Sequence, residues 1–267
     1  MSVYLFNTDG TGNDGVRHLI DAGKVKEIIC DSFQDFDNNA KALLTEVTNE
    51  DFVILDTIGS LLETTRGDMK LGKPENSYWD RLDALMAGEV FGATYDASRI
   101  LIMRRLVNLR NKGARIITVA HERDQRDEGG LGSKTSKQRA PAVSPRLYSD
   151  LLGRSSDMFR LTILTEPLTD SKGVVRVPAG KRQLQLRTSE DAVAKYQVRR
   201  DLSDKIPPFI FEPTWAKLTA VLGKTPSWLT LYGPPGAGKT TLAVDMTEEH
   251  DESVKPQTII EKKKVLA

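Results

Sequence analysis

Eight consecutive residues near the carboxyl end of the chain, Gly233-Pro234-Pro235-Gly236-Ala237-Gly238-Lys239-Thr240, satisfy the pattern G-x-x-x-x-G-K-[ST], and Thr241 follows directly. Glycines without a Cβ let successive backbone N–H groups turn inward around a phosphate. A lysine at this spacing neutralises β- and γ-phosphates, and the adjoining hydroxyl ligates Mg²⁺. The flanks agree: a strand-like run at 228–232 (WLTLY) precedes the motif and helix-prone residues at 241–246 (TLAVDM) follow it. The bland alternative is a glycine-rich turn carrying a surface lysine. The full pattern, set between a strand and a helix, favours the phosphate site.

Such a loop needs an acidic strand end to help hold the metal. Residues 52–56 (FVILD) supply four apolar positions that read as a buried strand, with Asp56 emerging at its carboxyl end. The order is unusual, because the acidic strand normally follows the phosphate loop in sequence. With the termini joined, the 28 residues after Lys239 and the 56 up to Asp56 leave room for two βα units. The parts are complete but circularly permuted, which chain termini at a domain surface tolerate; the competing account is a broken reading frame with an unrelated second phosphate-loop domain.

The positioning elements follow from pattern. Strands are predicted at residues 2–7, 25–30, 51–56 and 115–120, and a helix over 38–47, where Ala40, Leu43, Leu44 and Val47 recur at helical spacing. Residues 79–111 read as two helices broken near Gly88–Gly92, and 144–152 as a helix with Pro145 in its first turn. Residues 158–164, 174–177 and 183–187 read as antiparallel strands, with a turn at 170–173. A helix at 215–222, a strand at 228–232 and a helix at 239–249 complete the set. Strands alternating with helices imply an α/β fold with a mainly parallel sheet and an antiparallel extension. Residues 1–249 read as one domain and 250–267 as a charged tail. Trp215 and Trp228 are expected in the core.

Composition narrows the class. The 267 residues carry 38 basic and 37 acidic side chains, a formal charge of +1, and one cysteine, Cys30, which excludes a disulfide framework or a cysteine-based zinc site. No apolar run approaches a membrane span, no signal-peptide pattern opens the chain, and a cytoplasmic protein is expected. The charge is uneven: residues 1–50 carry 4 basic and 9 acidic groups, whereas 101–150 carry 11 and 5. The stretch 122–142 has no apolar periodicity and reads as a long loop with basic residues, suited to a polyanion.

Reordered in this way, the chain resembles the RecA-like ATPases, and most closely the phage single-strand annealing proteins of the Sak type. The motifs carrying the likeness are Gly233–Thr240, residues 52–56, and Asn7-Thr8-Asp9-Gly10-Thr11, where the family has a D-T-E-G-T-like run whose glutamate polarises the attacking water. The resemblance implies ATP and Mg²⁺ as cofactors, Gly233 to Thr241 as the nucleotide cradle, and Thr240 and Asp56 as metal ligands. It makes Asp9 the base for the attacking water, one methylene shorter than glutamate and hence slow; the other reading of Asp9 is an Asx-type turn. Glu63 stands in reserve. His121 takes the place of the γ-phosphate sensor, with a structural histidine as the alternative.

Arg123, Arg126, Lys134, Lys137 and Arg139 fall where the family binds DNA, and a solvated loop is the alternative. Residues 66–78 occupy the first DNA-loop position, with Tyr78 and Trp79 as stacking candidates. Lys181, Arg182 and Arg187 are the candidates for a basic residue reaching a neighbouring subunit's nucleotide. The implied function is ATP-dependent binding of single-stranded DNA followed by annealing in phage recombination. It would act inside a bacterial host, as a filament or ring, with a single-strand-binding protein as a further partner. The rivals are a nucleotide-switched interaction module, of helicase-loader or clock type, and a small-molecule kinase.

Overall fold

The computed structural model describes residues 1–10, 13–71, 93–124, 138–198 and 200–245. The fold is α/β with mostly parallel pairing among its central strands. The described chain forms two compact units. The first takes residues up to Ala120 together with Ala142–Arg154, and the second runs from His121 to Pro141 and onward from Ser155.

In the first unit, β1 (Val3–Asn7) lies between β2 (Val25–Ile29) and β3 (Phe52–Asp56), and β4 (Arg115–Asp124) pairs with β3; every pairing is parallel. Parallel strands are buried on both faces. Accordingly Val3 to Asn7 and Phe52 to Asp56 are buried at every position. The helices are α1 (Arg17–Asp21), α2 (Phe33–Leu43), α3 (Ile58–Leu71), α4 (Ala93–Asn111) and α5 (Pro145–Arg154), with a short 3₁₀ turn at Asn13–Val16.

Helix α2 begins five residues earlier than the periodicity predicts. A reciprocal capping box starts it: Ser32 Oγ accepts the Asp35 N–H (3.1 Å) and Asp35 Oδ2 accepts the Ser32 N–H (3.0 Å). Asp68 on α3 accepts the Phe33 N–H at 2.8 Å. Phe33, Phe36, Ala40 and Leu43 then face the core, and Phe36 meets Phe6 edge-on at 5.3 Å. The buried Asp37 is neutralised by Arg105 of α4 and by Lys41 at 2.5 Å. Helix α5 matches its prediction, Ser144 Oγ accepting the Leu147 N–H at 3.3 Å with Pro145 first in the helix.

In the second unit β6 (Asp157–Ile163) runs parallel to β11 (Trp228–Gly233) and antiparallel to β9 (Arg182–Gln185), which pairs antiparallel with β10 (Phe209–Phe211). The stretch read as purely antiparallel thus has one parallel neighbour. β7 (Leu168–Thr169) and β8 (Val175–Val177) form a hairpin, whose predicted turn is closed by Asp170 Oδ1 accepting the Lys172 and Val174 N–H groups. Helices α6 (Arg200–Ser203), α7 (Trp215–Leu222) and α8 (Lys239–Asp245) complete the unit. Trp228 is fully buried and Trp215 half-buried.

Two expectations about loops are corrected. Glu122, Arg123 and Asp124 continue β4 and pair antiparallel with β5 (Arg139–Pro141), so the ends of the expected 122–142 loop are strand. Arg66 to Leu71 belong to α3, not to a loop. Residues 72–92, with Tyr78, Trp79 and the helix break near Gly88–Gly92, lie outside the described residues.

Candidate functional site

The phosphate-loop motif leaves a strand and enters a helix, as its sequence requires. β11 is buried throughout and ends on Gly233, and α8 starts on Lys239. Gly233 is dictated by contact, because a Cβ there would stand 2.0 Å from the Leu161 carbonyl oxygen of β6. Gly236 and Gly238 are dictated by conformation, with φ of 74° and 77° on either side of Ala237. Both lie in the left-handed region that side chains disfavour. The Ala237 N–H donates to the Pro234 carbonyl at 3.3 Å, and the Leu242 N–H to the Gly238 carbonyl at 2.9 Å.

Lys239 is 6% exposed, and its Nζ donates to the Pro234 carbonyl at 2.9 Å. An ammonium with so little solvent requires acceptors, and this one is folded back across its own loop. Thr240 and Thr241 are half-buried in the first turn of α8. The donor set fits a polyphosphate: a lysine, a hydroxyl and a loop whose shape only glycines permit. Among the described residues no three His, Cys, Asp or Glu side chains gather as metal ligands. Magnesium commonly takes only one or two protein carboxylates and completes its shell with phosphate oxygens and water.

In the first unit the carboxyl ends of β1 and β3 are joined by hydrogen bonds. Asn7 and Asp56 are register partners. The Thr8 N–H donates to the Asp56 carbonyl (2.8 Å), and Thr8 Oγ1 donates to the Thr57 carbonyl (2.8 Å). The Asp56–Thr57 peptide is cis, and Thr57 Oγ1 accepts the Ser60 N–H at 3.2 Å as α3 begins. Asp56 is 4% exposed. Asp9, half-buried, follows β1; the turn-closing acceptor is Asn7, whose Oδ1 takes the Gly10 N–H at 3.1 Å. Thr11 lies outside the described residues. Glu63 is exposed on α3 and paired to Arg66 at 2.5 Å. Cys30 is buried and its thiol is pushed up to about 12 by burial, then by Asp35 and Asp31, so it is inert as a nucleophile.

His121 is exposed and sits within β4 rather than at its end. The next residue carries a feature that the sequence did not signal. Glu122 receives both Arg160 Nε (2.8 Å) and Nη2 (3.2 Å), a two-point ion pair within the second unit. Arg123 is exposed on β4, and Arg139 is half-buried on β5, its backbone held by Asp191 and Val193. Arg126, Lys134 and Lys137 lie outside the described residues.

The three late basic residues separate clearly. Lys181 is exposed. Arg187 Nη2 donates to the Ser203 and Asp204 carbonyls, each at 3.1 Å, at the end of α6. Arg182 lies against the phosphate loop: its Cδ is 3.8 Å from where a Gly238 Cβ would stand, and its Nη1 is 3.7 Å from Asp245 Oδ2 on α8.

Among the described residues no helix is long and apolar enough to cross a membrane. Comparison of the chain with protein families, curated proteins and solved structures found no match.

Proposed function

We propose that this chain is a Mg-ATP-dependent ATPase of the RecA-like type, permuted so that its phosphate-loop strand comes last, which binds single-stranded DNA as a homo-oligomer and promotes annealing in recombination. The observation that carries the nucleotide part is the loop from Gly233 to Lys239. Two glycines in left-handed conformation shape it, a third allows no side chain, and a nearly buried lysine is turned into it.

Bound Mg-ATP supplies the scissile γ-phosphate and its metal charge. The loop N–H groups would hold phosphate oxygens, and Lys239 would exchange its Pro234 partner for them. Thr240 offers its hydroxyl to the metal, the reading that its place after Lys239 supports. On the resemblance, Asp56 would be a metal ligand and Asp9 would orient water. In the DNA part, Arg123 and Arg139 flank residues 125–137, which carry Arg126, Lys134 and Lys137. Such basic residues track phosphates without reading sequence.

Lys239→Ala is expected to abolish binding of a fluorescent ATP analogue in a fluorescence titration. Retained affinity would remove the nucleotide reading. Gel shifts of a labelled oligonucleotide with ATP, ADP or neither, across salt, test the DNA part. A steep loss of binding with salt is expected, and a flat response counts against phosphate tracking.

A further inference from the structure

Arg182 is one of three basic residues that the sequence leaves undivided. The structure ties it to its own phosphate loop. Its side chain lies between Gly238, which immediately precedes α8, and Asp245, which ends α8 seven residues, or about two turns, later. The stem packs beside Gly238, and one guanidinium nitrogen reaches the Asp245 carboxylate at 3.7 Å. That ion pair is long, and its side chains are 27% and 34% exposed, so it holds the guanidinium weakly.

The backbone of Arg182, in contrast, is held firmly. Its N–H donates to Glu212 Oε1 at 2.7 Å, and its carbonyl accepts the Glu212 N–H at 2.8 Å. Among the described residues Glu212 is the one non-glycine residue with positive φ, at 45°. It precedes Pro213, a setting that favours extended backbone, so the conformation is strained. Lys217 Nζ supports it by donating to the Phe211 (3.2 Å) and Glu212 (2.8 Å) carbonyls. A strained residue that clamps both backbone groups of an arginine fixes where that side chain leaves β9. The stem then lies beside the loop, with a loosely held cationic end one side-chain swing from it.

We infer that Arg182 binds the phosphates of the nucleotide held by its own chain, acting in cis, with Asp245 as the partner it exchanges. The inference rests on the phosphate-loop reading above. It differs from the trans role that the resemblance implies for this part of the chain. Arg187, committed to the end of α6, and Lys181, with no contact to the loop among those described, are left out of it.

The test uses the full chain and a fluorescent ATP analogue. Arg182→Met keeps the stem against Gly238 and removes the charge. It is expected to weaken binding roughly 10–100-fold, the loss of one charge-assisted contact. Unchanged affinity in an Arg182→Met protein that melts with the wild type overturns the inference. If that variant does not fold, Asp245→Asn leaves Arg182 in place and frees it; tighter binding is expected, and weaker or equal binding overturns the cis role. Mixing Arg182→Met with Lys239→Ala subunits then separates cis from trans. Turnover is expected not to exceed that of the two variants measured separately, and recovery above it assigns Arg182 to the neighbour. Failure of the wild type to bind nucleotide, or retained binding by Lys239→Ala, is a different result that strikes the phosphate-loop reading itself.

Discussion

The two strand ends expected to do chemistry are built by opposite means. In the second unit the end of β11 is shaped by what is missing: Gly233 has no Cβ to strike Leu161, and Gly236 and Gly238 take backbone conformations closed to other residues. In the first unit the ends of β1 and β3 are shaped by what is present. Thr8, Asn7 and Thr57 tie the backbone with their side chains, and Asp51 does the same at the opposite end of β3. One region fails when an atom is added, the other when an atom is taken away. A loop that turns through left-handed conformations takes its shape from glycine. A strand end bearing Asn and Thr takes its shape from side-chain hydrogen bonds.

The largest expected effect breaks the glycine-built side. In Gly233→Ala the new methyl would lie 2.0 Å from a backbone oxygen, with no flexible side chain to yield, so β11 and β6 must separate. Overpacking of that kind costs on the order of 3 kcal/mol or more. Urea unfolding followed by far-UV circular dichroism measures it. A midpoint equal to the wild type's would mean that β11 and β6 are not in the register described.

A middle effect tests the side-chain-built region through charge. The buried Asp51 carboxylate accepts the Ser2 N–H (2.6 Å), the Thr48 N–H (2.9 Å) and Thr48 Oγ1 (2.9 Å). Burial alone would raise its pKa. The Thr48 and Ser2 backbone bonds, the Thr48 hydroxyl and the chain's amino terminus outweigh burial and hold it below the ordinary carboxylate range. The folded pKa lies below the unfolded one, so the stabilisation is complete above about pH 4 and is lost as pH falls through the folded pKa. Asp51→Asn is expected to cost about 2 kcal/mol at pH 7 and to flatten the acid limb of the stability profile. Parallel acid limbs for variant and wild type would show that Asp51 is not the group responsible.

The difference between the regions also explains what could be read beforehand. Glycine-built features are legible: the spacing of Gly233, Gly236, Gly238 and Lys239 predicts a strand, a shaped loop and a helix, and β11 and α8 stand there. Buried parallel strands are legible too, because runs such as Phe52 to Leu55 have no other home. Features that depend on partners distant in sequence are not. The start of α2 relies on Asp68, thirty-five residues away, as well as on its own capping box. Glu122 and Arg160 meet across thirty-eight residues, and nothing local marks either as paired. Glu212 looks like an ordinary turn residue, and only its two bonds to Arg182 reveal why it bears a left-handed backbone. The 122–142 stretch misled at both ends for the same reason. β5 exists because β4 continues long enough to pair with it, and a three-residue strand has no periodicity of its own.

The smallest expected effect tests the polar side with a near-isosteric change. Thr8→Val exchanges a hydroxyl for a methyl of similar volume and leaves the Thr57 carbonyl without the hydrogen bond from Thr8 Oγ1, while the Thr8 N–H still reaches Asp56. Thr8 is buried, so water cannot readily replace that bond, and a loss of about 1–2 kcal/mol is expected. The loss should appear in equilibrium unfolding, together with faster amide hydrogen exchange at the start of α3. ATP-analogue affinity should stay at the wild-type value, because Gly233 to Lys239 is untouched. Thr8→Val with unaltered stability would mean that backbone pairing alone holds the first unit's strand ends, and the contrast with the glycine-built loop would then narrow to the loop's own geometry.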